Sequence, residues 1–519
     1  MPNRSTDTLF QLIHSLQKGE KRNFKLYAKR NTANEDLRIV QLFDAMDKMK
    51  EYDENALLKK NPSIKKQQLS NIKAQLYKEL LASLRLLESE ENVDIQLHEQ
   101  LDYARILYNK GLYHQSLKTL DRIKEYARKY NQISFLTQVL FFEKKIESLH
   151  ITRSMQDRAS RLSAEANEVN RDIALITELS NLSLELYSWY IRHGHARNEN
   201  DEKQLNDYFH SHLPSDPSEV KTFYQKLYFF QSYTWYAFIR QDFLLYYRYT
   251  QKWVDLFYNE PDMINIETAN YIKGMHNLMN AHFDLRNFKK FDDTLLRFEK
   301  FAESDIVESN DNNRIQVFIY LYIAKINKHF MHGTFQEGLK LVPYIEEKLK
   351  EFSLYLDSHR ILVFYYKIAS LYFGTGNYSK AIDYLNRILN WKLDLRNDLQ
   401  AYARLLHMIA HYEMGNYDIL ESLIKSVYRF MAKMENLSTI EVEIFKFIRN
   451  SFHLSARELK PAFIELLNKL KGLEKNPLEA RALSYLDIIS WLESKVNGDS
   501  VDKIIREKYL GSSKAHLTN

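Results

Sequence analysis

Three stretches of this chain carry residue types whose spacing bears on chemistry. Lys59, Lys60, Lys65, Lys66, Lys73 and Lys78 follow one another with no acidic residue between 59 and 78. A basic patch of this kind neutralises phosphates. The Asn61-Pro62-Ser63 break inside it reads as a short turn between two helices, the arrangement that presents a second helix to a nucleic-acid groove. Gln67, Asn71 and Gln75 share one face, and side-chain amides pair with base edges. No arginine accompanies them, and the second helix carries a long apolar stripe, so lysines on a solvated face are the alternative. His193/His195 and His210/His212 form two His-x-His pairs, but histidines at i and i+2 cannot share a helix face and a metal needs three or four ligands. Gly374-Thr-Gly376 lacks the later glycine and the preceding strand of a dinucleotide fingerprint, and reads as a turn.

The composition excludes more. There is no cysteine among 519 residues, hence no disulfide, thiolate zinc site or cysteine nucleophile. No phosphate-binding loop, zinc-protease helix or nucleophile elbow is present. No catalytic residue, metal or cofactor is therefore expected, and the reading is of a protein that is not an enzyme. The longest apolar runs, Val317–Ala324 and Ile361–Tyr366, fall well short of the ~20 residues that span a bilayer. The first residues lack the apolar core of a secretory leader. A cytoplasmic chain without a membrane span is expected.

Twelve glycines and eight prolines are too few for folds that turn every ~8–12 residues, and Leu, Ile, Tyr and Phe recur at helical spacing. The fold class is all-α. At this length one core is not enough, because single cores stop growing near ~250–300 residues. Residues 1–87 hold 17 Lys/Arg against 10 Asp/Glu, which concentrates the basic character in the head. Two short helices are expected over 7–30, a third from Glu35 to Glu51, and one from Asp53, its N-cap, to Lys60. Ser63 then caps a long helix with Ile64, Leu69, Ile72, Leu76, Leu80, Leu84 and Leu87 on one stripe. From residue 91 the unit changes to paired helices. Ala104, Leu107, Gly111, Tyr113 and Leu120 repeat the offsets of Ala369, Tyr372, Gly376, Tyr378 and Leu385. Further turns fall at Arg153, Gly194, Gln241-Asp242, Arg286-Asn287, Gly333-Thr334 and Gly415-Asn416, with 39 to 47 residues between successive turns. Such periods mean a solenoid of helix pairs. The polar stretch 193–220, with Pro214 and Pro217, reads as a long inter-helix loop, a hinge being the alternative. Helices near Leu478–Val496 and Val501–Tyr509 are expected to cap the array, with a frayed tail from Gly511.

Gly376-Asn377-Tyr378 is followed three residues later by Ala381, and Ala369 and Tyr372 lie seven and four before the glycine. This unit resembles the tetratricopeptide repeat. The departures are a period longer than the usual 34, Leu393 in place of the closing proline, and Leu420 in place of a small residue after the Gly415 turn. The head, from Leu9 to Arg30, also resembles the start of uncharacterised tetratricopeptide-like proteins of Bacteroidetes, which brings no activity with it. The repeat resemblance implies a right-handed α-solenoid over 91–519 behind a helical head of residues 1–90. It also implies a partner-binding concave face that includes Tyr320, Asn327, Tyr366, Ser370, Phe373, Tyr402 and Tyr412, with burial as ordinary core the alternative. A protein or peptide partner is expected there. Lys59, Lys60, Lys65, Lys66 and Lys73 are the candidate nucleic-acid contacts of the head.

Overall fold

The computed structural model describes residues 7–30, 34–89, 92–150, 157–196, 198–353, 355–391, 397–433, 438–451, 454–473 and 487–515. Among them every regular element is helical, and the chain is an all-α helical repeat solenoid. It divides into two compact units, Met1–Asn170 and Arg171–Asn519. The turn expected at Arg153 and the residue Leu393 lie outside the described residues.

In the first unit, Thr8–Ser15, Lys18–Arg30, Asn34–Asp47, Glu54–Lys60 and Lys66–Glu88 share one apolar core, built on Leu9, Ile13, Phe24, Leu42, Phe43 and Leu76. Asp53 caps Glu54–Lys60 by accepting from the Asn55 and Ala56 N–H groups. The long helix starts at Lys66 rather than after Ser63. Lys65 is its N-cap and makes no side-chain capping bond. Val93–Asn109, Tyr113–Lys129 and Ile133–Leu149 follow as consecutive packed helices. The stretch expected as a loop or hinge holds the helix Glu199–Ser211, capped by Asn198, whose Leu205 and Phe209 are buried one turn apart.

The second unit is a stack of helix pairs. Its first helices, Thr268–Asp284, Asp311–His332, Ser358–Gly374 and Asn397–Glu413, pack side by side and form one layer. Between the helices of each pair the chain turns at a residue in the left-handed region, then at a capping residue. Gln241 (φ +58°), Arg286 (+52°), Gly333 (+64°) and Gly376 (+77°) hold the turn. Asp242, Asn287 and Asn377 then accept a backbone N–H three residues on. After the cap, Tyr378–Leu389 buries Ala381, Tyr384, Leu385 and Ile388, a stripe of spacing three, one and three. Close approach is enforced by glycine. A Cβ on Gly374 would stand 2.6 Å from the Phe335 ring, and one on Gly338 2.8 Å from a Leu371 methyl.

The described chain ends in Val501–Ala515, which continues beyond the expected Tyr509 through Gly511. Its backbone rests on the Gly333 turn. Arg506 Nη1 donates to the His332 carbonyl at 3.2 Å, and Tyr509 stacks on His332 with ring centroids 4.3 Å apart. No described helix is long and apolar enough to cross a membrane.

Candidate functional site

Between the inner layer of the second unit and Val501–Ala515 lies a cavity of about 640 Å³. Such a volume is typical of a ligand pocket. Phe283, Phe330, Phe335, Tyr366, Phe373 and Tyr509 supply aromatic walls, and Asp284, Arg286, Lys367, Asp487 and Lys508 supply charge. Three residues expected on the partner-binding face, Tyr366, Ser370 and Phe373, are brought together on this wall. Their spacing of four and three puts them on one face of Ser358–Gly374. Tyr366 and Phe373 expose only 6% and 4% of their surface, so little of either ring is open to the cavity. Tyr402, at 1%, and Tyr412, at 8%, lie within the hydrophobic core of the later repeats and are not on the cavity. Long inner helices that pack over most of their length leave these rings against neighbours.

Tyr320 and Asn327 sit two turns apart on Asp311–His332, and each also meets a polar or charged group. Lys367 Nζ donates to Asn327 Oδ1 at 2.6 Å. Tyr320 stacks on His276 at 4.2 Å between centroids, with the Arg360 guanidinium 5.9 Å from its ring. These groups extend along the inner face as rows of two-turn spacing: Lys273 and Asn280, Tyr320 and Asn327, Arg360 and Lys367. Burial lowers the Lys367 ammonium to about 8 and raises the Asp284 carboxyl to about 7. Burial likewise takes Lys273 down to about 8, helped by Arg360. Sequence reasoning passed over Lys273, His276, Asp284, Arg360 and Lys367, which look like the solvated side of an amphipathic helix. The signal that finds them is the seven-residue spacing of polar residues on three successive inner helices.

In the head, Lys59, Lys60, Lys65 and Lys66 are exposed around the Asn61-Pro62 turn. Lys73 is placed differently. Its ammonium pairs with Asp7, accepts company from Tyr52, whose hydroxyl takes a hydrogen bond at 3.0 Å, and lies 4.7 Å from the Tyr52 ring centre. It ties Lys66–Glu88 to the start of the described chain. The histidine pairs do not converge. His195 Nδ1 bonds the Phe238 carbonyl at 2.8 Å, whereas His210 and His212 are exposed at the end of Glu199–Ser211. No metal-ligating cluster occurs among the described residues.

The second unit's stacked pairs, with a layer of inner helices beside a cavity, are those of a helical repeat protein. Residues 362–394 match the tetratricopeptide repeat, a span that takes in most of Ser358–Gly374 and all of Tyr378–Leu389. No curated protein matches the chain. This one helix pair is thus similar to a tetratricopeptide repeat, and a repeat of this kind suggests a role in protein–protein interaction.

Proposed function

We propose that this chain is a non-enzymatic scaffold that holds a peptide or partner helix on the inner face of its second unit. The observation that carries the reading is the cavity beside Ser358–Gly374, whose wall Tyr366, Ser370 and Phe373 share with aromatic rings from several other helices. Aromatic anchors in desolvated pockets dominate peptide affinity. Ser370 is the residue to perturb, because it is half-buried on the wall and its hydroxyl only bonds the Tyr366 carbonyl of its own helix. A photo-crosslinking residue at position 370 of the full chain should attach to a partner polypeptide in native cells. Ser370→Trp, which fills the cavity, should remove partner capture while the helical signal stays. Capture that persists undiminished in Ser370→Trp would refute the reading.

A second reading, a regulator whose head binds nucleic acid while the array senses a partner, is supported by the four exposed lysines around the Asn61-Pro62 turn. Full-length protein should then bind duplex DNA or RNA with an affinity falling steeply with salt. Replacing Lys59, Lys60, Lys65 and Lys66 by Ala should flatten that slope. Lack of binding at low salt would remove this reading.

A further inference from the structure

The inner face of the second unit holds, reaching from the cavity wall at Lys367, a group of cationic and donor side chains with few acceptors among them. Lys273 is the centre. Its ammonium lies 4.8 Å from the Tyr187 ring centre and 5.3 Å from that of Trp235, and among the described residues it has no carboxylate or hydrogen-bond partner. Cation–π contacts stabilise an ammonium but accept none of its three protons. His276 lies one turn further along the same helix. Asn280 Nδ2 lies 3.1 Å from its Nε2, which, with that amide as donor, accepts and leaves the ring proton on Nδ1. Nδ1 is buried with no partner among the described residues, an orphaned donor of a kind that is rare in native interiors. Arg360 reaches the same Tyr320 ring on which His276 stacks. Lys367, with Asn327 its hydrogen-bond acceptor, completes the row.

The His276 ring reports that these charges converge. Burial lowers its pKa to about 3, and the Lys367, Lys273 and Arg360 cations each push it the same way. The carboxylates nearby offset them only in part. Asp357 sits at the helix N-terminus, where it pairs with Arg360 Nε at 3.3 Å and caps the helix. Glu267 takes bonds from the Tyr224 hydroxyl and Asn270. Asp284, toward the cavity, is itself held back from ionising.

We propose that Lys273, Arg360 and Lys367, with His276 among them, form a binding site for a multiply charged oxyanion of the phosphate class. An oxyanion is rich in acceptors, and Lys273 Nζ and His276 Nδ1 are donors without a protein acceptor among the described residues. The oxyanion's charge also relieves the mutual repulsion of three cations held partly out of water. Arginine and lysine beside aromatic rings are the side chains that take phosphate groups, the first as a fork and the second as a point charge. Lys367 also lines the neighbouring cavity, but Lys273, His276 and Arg360 do not, and the phosphate response below is read without any peptide.

The test uses the full chain and inorganic phosphate, with chloride at matched ionic strength as reference. Phosphate should raise the melting temperature in a saturable way, as a ligand of the native state does. Lys273→Met should fold and melt at or above the wild-type temperature in chloride, since it removes a cation without a partner, and should lose the phosphate response. Lys367→Met should weaken the response several-fold, and Lys503→Met, on the exposed side of the last described helix, should leave it intact. Calorimetric titration gives the stoichiometry independently, with one phosphate expected per chain. The proposal is overturned if chloride reproduces the shift, if Lys273→Met keeps it, or if titration of the wild type gives no heat of binding.

Discussion

Replacing Gly333 by alanine tests how the last described helix is held, and Gly376→Ala is its internal control. Both glycines occupy the left-handed region, at φ +64° and +77°, where a side chain costs roughly 1–2 kcal/mol. They differ in what an added methyl group would meet. Nothing lies within 4 Å of it at Gly376, so only the backbone term is lost there. At Gly333 it would stand 2.4 Å from Arg506 N and 2.6 Å from the Asp502 carbonyl oxygen. These are main-chain atoms of Val501–Ala515, and no rotamer change relieves the overlap. The helix must shift as a body, which breaks the Arg506–His332 bond and the Tyr509–His332 stack and re-exposes part of Val501 and Ile505 on the cavity wall. Burying an aliphatic side chain fully is worth about 1.5–3 kcal/mol. Two residues partly released, together with the lost hydrogen bond, come to about 2–4 kcal/mol beyond the backbone term. Amide hydrogen exchange of the full-length variants is the direct assay. In Gly333→Ala protection should fall across 501–512 and spare Tyr378–Leu389, and urea midpoints should drop further than for Gly376→Ala. Equal midpoints together with wild-type exchange over 501–512 would refute the reasoning.

Two further outcomes follow from the same packing. Asp284 has its pKa raised by burial to about 7, against ~3.9 in an unfolded chain, so the fold disfavours its ionised form. The stability it allows is complete below about pH 4 and is lost as pH rises through about 7. Asp284→Asn should therefore match wild type at pH 4 and exceed it by about 1–3 kcal/mol at pH 8, after allowance for water at the cavity wall, and equal differences at both pH values in urea titrations would contradict this. Ala381 is wholly buried in the Ser358–Gly374/Tyr378–Leu389 contact, and Ala381→Leu should cost ~1–3 kcal/mol by overpacking, a neutral effect in the same titrations counting against the register.

How much of this was open to sequence reading depends on whether a feature leaves a local mark. The turns do. A left-handed residue needs glycine or a tolerant polar side chain, and the helix after it needs an Asp or Asn cap, so Gln241-Asp242, Arg286-Asn287 and Gly376-Asn377 are visible as dipeptides. The helix Glu199–Ser211 leaves almost none, because it buries only Leu205 and Phe209 and is otherwise as polar as a loop. Lys73 shows why charge runs mislead: it belongs to the same acid-free run as Lys65 and Lys66, yet Tyr52 and Asp7 from elsewhere in the head claim it. The inner face fails for a related reason. Tyr366 and Lys367 are adjacent, and one residue turns a helix by ~100°, so a reading centred on the aromatic looks past the ammonium. Only the stacking of three helices, each with its own polar pair two turns apart, converts Lys273, Arg360 and Lys367 from solvated lysines and arginine into neighbours. Repeat proteins make this error systematic. The local contacts that define the repeat are written in every unit, whereas the ligand face belongs to none of them singly and arises from the register between units.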